Sequence, residues 1–105
     1  MPAKVEDNTE HAYHLYTILI DEKRVGFTRD QMLNKLNELG IGCGVHYLSV
    51  PDHPFYQRSY MWDPADYPNA KKVGDQTLSI PLSPKLSNQQ IEYIMSSVRD
   101  IVKCH

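Results

Sequence analysis

The sequence is poor in cysteine. It has two, Cys43 and Cys104, too few for a disulfide framework, and both are expected to be free thiols. It lacks a charge excess as well. Eleven Lys and Arg residues against 13 Asp and Glu leave a net charge of −2, so nothing in the overall balance favours nucleic acid or an anionic membrane as partner. Uninterrupted apolar stretches are only a few residues long, which excludes a bilayer-spanning helix. The opening residues Met1–Asp7 have no apolar core of the secretory kind, and a cytoplasmic location is the expectation. Length itself is short: 105 residues make about one domain, whereas a barrel enzyme needs roughly 250. No internal repeat and no low-complexity tract is present.

What remains is a foldable composition, 41% hydrophobic and 23% charged. Residues 12–20 are rich in aromatic and β-branched types and predict a strand. Tyr13, Leu15 and Thr17 fall on one face, and His14, Tyr16 and Ile18 on the other. Bulky groups on both faces predict an interior strand covered on both sides. Asp21–Gly26 reads as a charged turn. A helix over 29–39 follows, with Thr28 and Gln31 as capping box, Phe27 and Met32 as hydrophobic staple, and Gly40 as left-handed stop. Residues 41–48 read as a glycine-loosened strand. Thr77–Ile80 is a further short strand. A last helix over 88–102 repeats the first helix's grammar, with Ser87 and Gln90 as box and Leu86 and Ile91 as staple. Its apolar stripe is Ile91, Ile94, Met95, Val98, Ile101 and Val102. The expected class is α+β: a two-layer domain with a short sheet of about three strands covered by helices. Residues 1–10 read as an extended or frayed arm and 11–103 as the domain.

Between Pro51 and Pro68 the composition changes, with four prolines and five aromatic side chains, Phe55, Tyr56, Tyr60, Trp62 and Tyr67. The stretch reads as irregular, with short turns around Pro54–Gln57. Pro68 suits the start of a short helix over 68–75 with Ala70 and Val73 facing inward. A rigid loop this rich in Tyr, His and Phe fits a pocket rim or an interface, or equally a satellite core under a long loop.

Other candidate chemistry is thin. The run Ile41–Gly44 follows a helix and enters a strand, the reverse of a phosphate-binding loop. Its glycines read instead as a helix stop and a close backbone approach. His11 and His14 point to opposite faces of a strand, and His46 and His53 are seven apart. No cysteine pair stands at ligand spacing, so no metal site is expected. His105 is expected to be exposed. Cys43, whose nearest charged neighbours are Glu38 and Asp52, reads as a small hydrophobe rather than a reactive thiol.

From His11 to Val102 the chain resembles the C-terminal small domain of the DegT/StrS-type aminotransferases, fold-type I pyridoxal-phosphate enzymes that aminate keto-sugar nucleotides. The matching pieces are Tyr13–Tyr16, Leu36–Tyr47, His53–Tyr56, Tyr67–Ala70, Leu78–Pro84 and the helix after Leu86–Ser87. Their order and spacing carry the likeness. The resemblance implies a large N-terminal domain that bears the Schiff-base lysine, the group stacked on the cofactor ring and the acid paired with the ring nitrogen. No lysine here matches a catalytic-lysine motif, so no catalytic residue is expected in the chain. It should bind no pyridoxal 5'-phosphate alone and have no transaminase activity by itself.

His46 and Tyr47 match the family motif and are implied to line the sugar-nucleotide side of the pocket. In many relatives a further histidine stands five positions beyond the first; here that position is Pro51. His53 matches a second histidine seen in some members. Phe55, Tyr56, Tyr60 and Trp62 are implied to form an interface or pocket rim. In the intact enzyme the partners would be a keto-sugar nucleotide, an amino donor such as glutamate, the large domain and a second subunit of a homodimer. A non-catalytic dimerisation or regulatory module of the same fold is the competing reading.

Overall fold

The first described residues carry no helix or strand. The computed structural model describes residues 5–103, and residues 5–14 run exposed to the first strand. Cys104, His105 and the first residues of the arm lie outside the described residues.

Strand β1 (Tyr16–Leu19) pairs antiparallel with β2 (Thr77–Ile80), in the register Tyr16 to Ile80 and Leu19 to Thr77. β2 falls where the sequence puts it. It is bounded by the end of a helix and by Pro81, and its four residues limit how much of the expected 12–20 strand can find partners. The strand expected over 41–48 contributes a single bridge. Gly44 and Ser79 exchange both backbone hydrogen bonds, at 3.0 and 2.8 Å. Beyond it, the His46 carbonyl accepts from the Thr77 hydroxyl at 3.4 Å, so a side chain takes over where a ladder would continue. Among the described residues the sheet therefore has two strands, not about three. Nor is β1 interior: it has one strand neighbour, and Tyr16, Thr17 and Leu19 are exposed.

Cross-strand partners share a face. Ile18 and Leu78 face the core together with Ile20, Phe27, Met32, Leu36, Ile41, Ile94 and Ile101. Thr17, Leu19, Thr77 and Ser79 occupy the opposite face.

The expected turn at 21–26 contains one helical turn, α1 (Glu22–Val25). Asp21 caps it and Gly26 closes it at φ +80°. Helix α2 (Arg29–Glu38) has the predicted capping box, with both reciprocal bonds formed between Thr28 and Gln31. Its end is a full Schellman motif. Gly40 at φ +74° donates to Asn37 O and Ile41 donates to Leu36 O, both at 2.9 Å. Ile41 and Leu36 are buried together in the core.

Pro54 opens a helix where turns were expected, α3 (Pro54–Tyr60). Pro at the first helical position costs no backbone hydrogen bond. Single 3-10 turns at Val50–Asp52 and Pro64–Asp66 flank it. Helix α4 (Pro68–Gln76) forms as predicted, but Ala70 and Val73 are exposed and Gly74 is the buried residue. A Cβ at Gly74 would stand 2.6 Å from the Ser49 backbone nitrogen. The helix can approach residues 48–49 only because position 74 has no side chain. Buried Arg29 ties this helix end to β2 by donating to Gly74 O at 3.2 Å and Thr77 O at 3.1 Å.

Helix α5 (Asn88–Lys103) carries the predicted Ser87–Gln90 box. Tyr93 Oη donates to Leu39 O at 3.0 Å, fastening α5 to the end of α2. The stripe divides. Ile94 and Ile101 are buried and Val98 is half-buried, while Ile91, Met95 and Val102 are 41%, 38% and 40% exposed. No helix among the described residues is long and apolar enough to cross a membrane.

Candidate functional site

The outer face of the sheet carries the candidate site. Leu19 and Thr77 from that face, with Tyr13, Ile18, Val73 and His46, line an open cleft of about 1090 Å³. His46 is half-buried and leans back over the strand bridge. A Cβ on Gly44 would stand 2.7 Å from the ring carbon Cε1. Glycine at 44 thus makes room for the imidazole rather than supplying an unusual φ. The ring is held at its other side by Ser79, with Nδ1 2.9 Å from Oγ. With Nδ1 engaged, Nε2 is the nitrogen left to meet a ligand, and its protonation follows from which way the serine hydroxyl points.

Sequence reasoning named His46 and missed its support. Thr77 and Ser79 are buried polar residues two apart on one face of β2. That polar alternation in a strand stopped by proline was the available signal. Tyr47, joined to His46 by a cis peptide, is exposed and sets its ring edge-on to the imidazole, 4.9 Å between centroids. Tyr47 and His53 are not among the cleft's lining residues. His53 is exposed at the start of α3, where its carbonyl accepts from Tyr56 and Gln57 and its ring makes no capping bond.

The aromatic residues assemble into one array. On α3, Tyr56 and Tyr60 are four apart and stack at 5.9 Å, with Phe55 edge-on to Tyr56 at 5.3 Å. Met61, at φ +55°, ends the helix in the left-handed region and turns the chain. Trp62 then lies nearly parallel to Tyr56, 15° between planes and 5.4 Å apart, and Tyr67 follows at 5.8 Å. Phe55, Tyr60 and Met61 are 59%, 58% and 83% exposed. That exposure goes against a satellite core under the loop. Contiguous apolar patches of this kind mark interaction sites.

Cys43 packs half-buried against the core, and burial pushes its thiol pKa up. Among the described residues no group of three or more His, Cys, Asp or Glu could hold a metal.

A model of the DegT/DnrJ/EryC1/StrS aminotransferase family matches residues 1–99. The chain belongs to that family. Among curated relatives, the spore coat polysaccharide biosynthesis protein SpsC of Bacillus subtilis strain 168 is 43% identical over 100 residues, 94% of this chain and 26% of the relative. The uncharacterized protein MJ1066 of Methanocaldococcus jannaschii is 31% identical over 98 residues, 93% of this chain and 25% of the relative. Two structures of the putative sugar aminotransferase Spr1654 from Streptococcus pneumoniae, the PMP form and the apo form, superpose with TM-scores of 0.76 and 0.75 at 25% and 26% identity. Each covers 87% of this chain and 22% of the solved one. The chain therefore spans about a quarter of the length of the relatives it matches.

The family implies pyridoxal phosphate, and this family member's described residues do not make a site for it. A Schiff-base lysine is activated by desolvation or by a neighbouring cation, either of which lowers its pKa. Lys71 stands opposite. The hydrogen bond to Asp75 and the charge of that carboxylate, 3.2 Å away, with Asp52 at 3.5 Å, hold its ammonium above the ordinary lysine range. Lys23, Lys72, Lys85 and Lys103 are exposed, and Lys35 lies over the Phe27 ring at 5.5 Å. None sits in the dry pocket that the chemistry requires.

Proposed function

We propose that this chain is the substrate-side small domain of a keto-sugar nucleotide aminotransferase and is inactive without a lysine-bearing large domain. The observation that carries the reading is the pairing of a family match along the chain with coverage of only a quarter of each relative. In this reading the cofactor and its lysine come from the large domain. His46 offers Nε2 to the sugar-nucleotide side of the pocket, held by Ser79. Tyr47 and His53 flank that side. Phe55, Tyr56, Tyr60 and Trp62 form the rim that closes on the large domain or the second subunit of a homodimer, excluding water and fixing the sugar. A stacked array backed by prolines loses little conformational entropy when it docks. An amino donor such as glutamate would supply the nitrogen.

The test has two arms. The purified chain is treated with pyridoxal phosphate and borohydride and weighed, then assayed for sugar amination alone and with a family large domain supplied in trans. The expected result is no site-specific adduct, no activity alone, and activity restored in trans. A reduced adduct at one lysine, or turnover by the chain alone, would overturn the proposal. A chain that alters the rate of a full-length relative while restoring nothing to a large domain would support the dimerisation or regulatory module instead.

A further inference from the structure

The aromatic array stands on a segment with little purchase on the core. Helix α3 buries no residue, and no side chain of the core cluster, or packed against it, comes from residues 51–68. The segment is held at its entry, the turn Val50–Asp52. Gln57 of α3 donates to Pro51 O at 3.0 Å, and the Asp52 and His53 amides donate to Ser49 O and Val50 O. At its exit the segment runs into α4, where Tyr67 lies 5.8 Å from Trp62. Entry and exit thus reach the same helix, the exit along the chain and the entry only across space.

Two contacts make the entry's crossing. Gly74 lets α4 come up to the Ser49 backbone. One point of contact fixes a distance and leaves the turn free to swing about it. The second contact is Lys71, whose Nζ stands between two carboxylates, 3.5 Å from Asp52 and 3.2 Å from Asp75. Asp75 is about one helical turn further along α4 and steadies the ammonium. Asp52 belongs to the turn, its side chain is only 21% exposed, and it also accepts from the buried Ser49 hydroxyl. A lone exposed ion pair contributes little, whereas several charges joined in a network hold a geometry. Asp75 first, and then Asp52, keep the ammonium protonated beyond the ordinary lysine range, so the latch is closed at neutral pH and yields to salt instead.

We propose that Lys71 is a positioning residue: by bridging α4 to Asp52 it sets the direction in which the segment from Pro54 to Tyr67 leaves the domain, and with it the place of His53 and of the aromatic array. That the array docks on a large domain is the function proposed for it, and only the second arm of the test rests on that.

The first arm uses the full chain and its single tryptophan. Lys71→Met keeps the stem and removes the charge; Lys71→Arg keeps the charge. Lys71→Met is expected to lose the near-ultraviolet circular dichroism of the Tyr56–Trp62 stack and to expose Trp62 to acrylamide quenching, while Lys71→Arg retains both. In about 1 M sodium chloride, where screening acts beyond about 3 Å, the wild type should move toward the Lys71→Met values. In an Asp52→Asn background Lys71→Met should add nothing. Far-ultraviolet circular dichroism verifies that each variant is folded. A Trp62 signal indifferent to Lys71→Met, a change that salt does not reproduce, or one that persists undiminished without Asp52 would overturn the proposal.

In the second arm a family large domain is added. Lys71→Met should weaken docking about threefold and leave turnover at saturating large domain unchanged. A wild type that does not dock counts against the function proposed for the array, and the first arm still decides on Lys71. Where the wild type docks, docking indifferent to Lys71→Met overturns the positioning role as well.

Discussion

Two glycines meet the same formal problem and resolve it differently. A side chain at 44 would run into the His46 ring at 2.7 Å, and one at 74 into the Ser49 backbone at 2.6 Å. A ring can rotate; a backbone amide in a packed turn cannot. Gly44→Ala should therefore lower stability by about 1 kcal/mol or less, roughly one hydrogen bond, while nitrogen NMR shows the His46 Nδ1 signal losing its Ser79 partner. Gly74→Ala should cost about 1–3 kcal/mol as overpacking, read by urea denaturation, with His46 unchanged. Cys43 supplies a prediction in pH. Burial raises its thiol pKa, so the thiolate appears only at higher pH than in a free thiol. In a Cys104→Ser background, iodoacetamide should alkylate Cys43 more slowly than a cysteine peptide at neutral pH, and its rate profile should be displaced to higher pH. At this scale the sequence was partly legible. His46 could be named from a family motif. Ser79 shows in the sequence only as a polar alternation with Thr77, and its pairing with His46 depends on a strand bridge between residues 35 positions apart.

Elements were most legible where their ends are written in local chemistry. The Thr28–Gln31 and Ser87–Gln90 boxes and the Gly40 stop are contacts between residues three to five apart, so a short stretch of sequence contains both partners. Thr28→Ala and Ser87→Ala should each lower stability by about 1 kcal/mol, measured as a shift in the urea midpoint at unchanged slope. The strands were harder to read because β pairing is non-local. The chemistry of residues 41–48 is that of a strand, yet one bridge is all that four-residue β2 and the folded-back His46 leave room for. The inward face of α4 was misassigned for a related reason. The apolar periodicity pointed to Val73, but the close approach to Ser49 is made by the residue with no side chain at all.

At the scale of the molecule the chain is flat. Its extents are 48 × 41 × 23 Å and its radius of gyration is 16.0 Å, where a compact chain of this length has about 13 Å. Much apolar surface remains uncovered, in the array of Phe55, Tyr60 and Met61 and along α5. These side chains are expected to contribute little to the stability of the isolated chain. Phe55→Ser with Tyr60→Ser should change its unfolding free energy by no more than about 0.5 kcal/mol, while abolishing binding to a family large domain in a pull-down or calorimetric titration. A large loss of stability in the double variant would mean that the array serves this domain's own core.

The short sheet has a further consequence. β1 joins β2 along one side only, and along its other side the amide and carbonyl groups of Tyr16–Leu19 meet no strand among the described residues. The segment Tyr-Thr-Ile-Leu contains neither a lysine nor a proline, the usual guards against pairing with another chain. Overexpressed by itself, the domain carries a template for ordered aggregation. Concentrated samples should scatter light and bind thioflavin before they lose helix, and a single Thr17→Lys or Thr17→Pro exchange on the exposed face should hold them in solution.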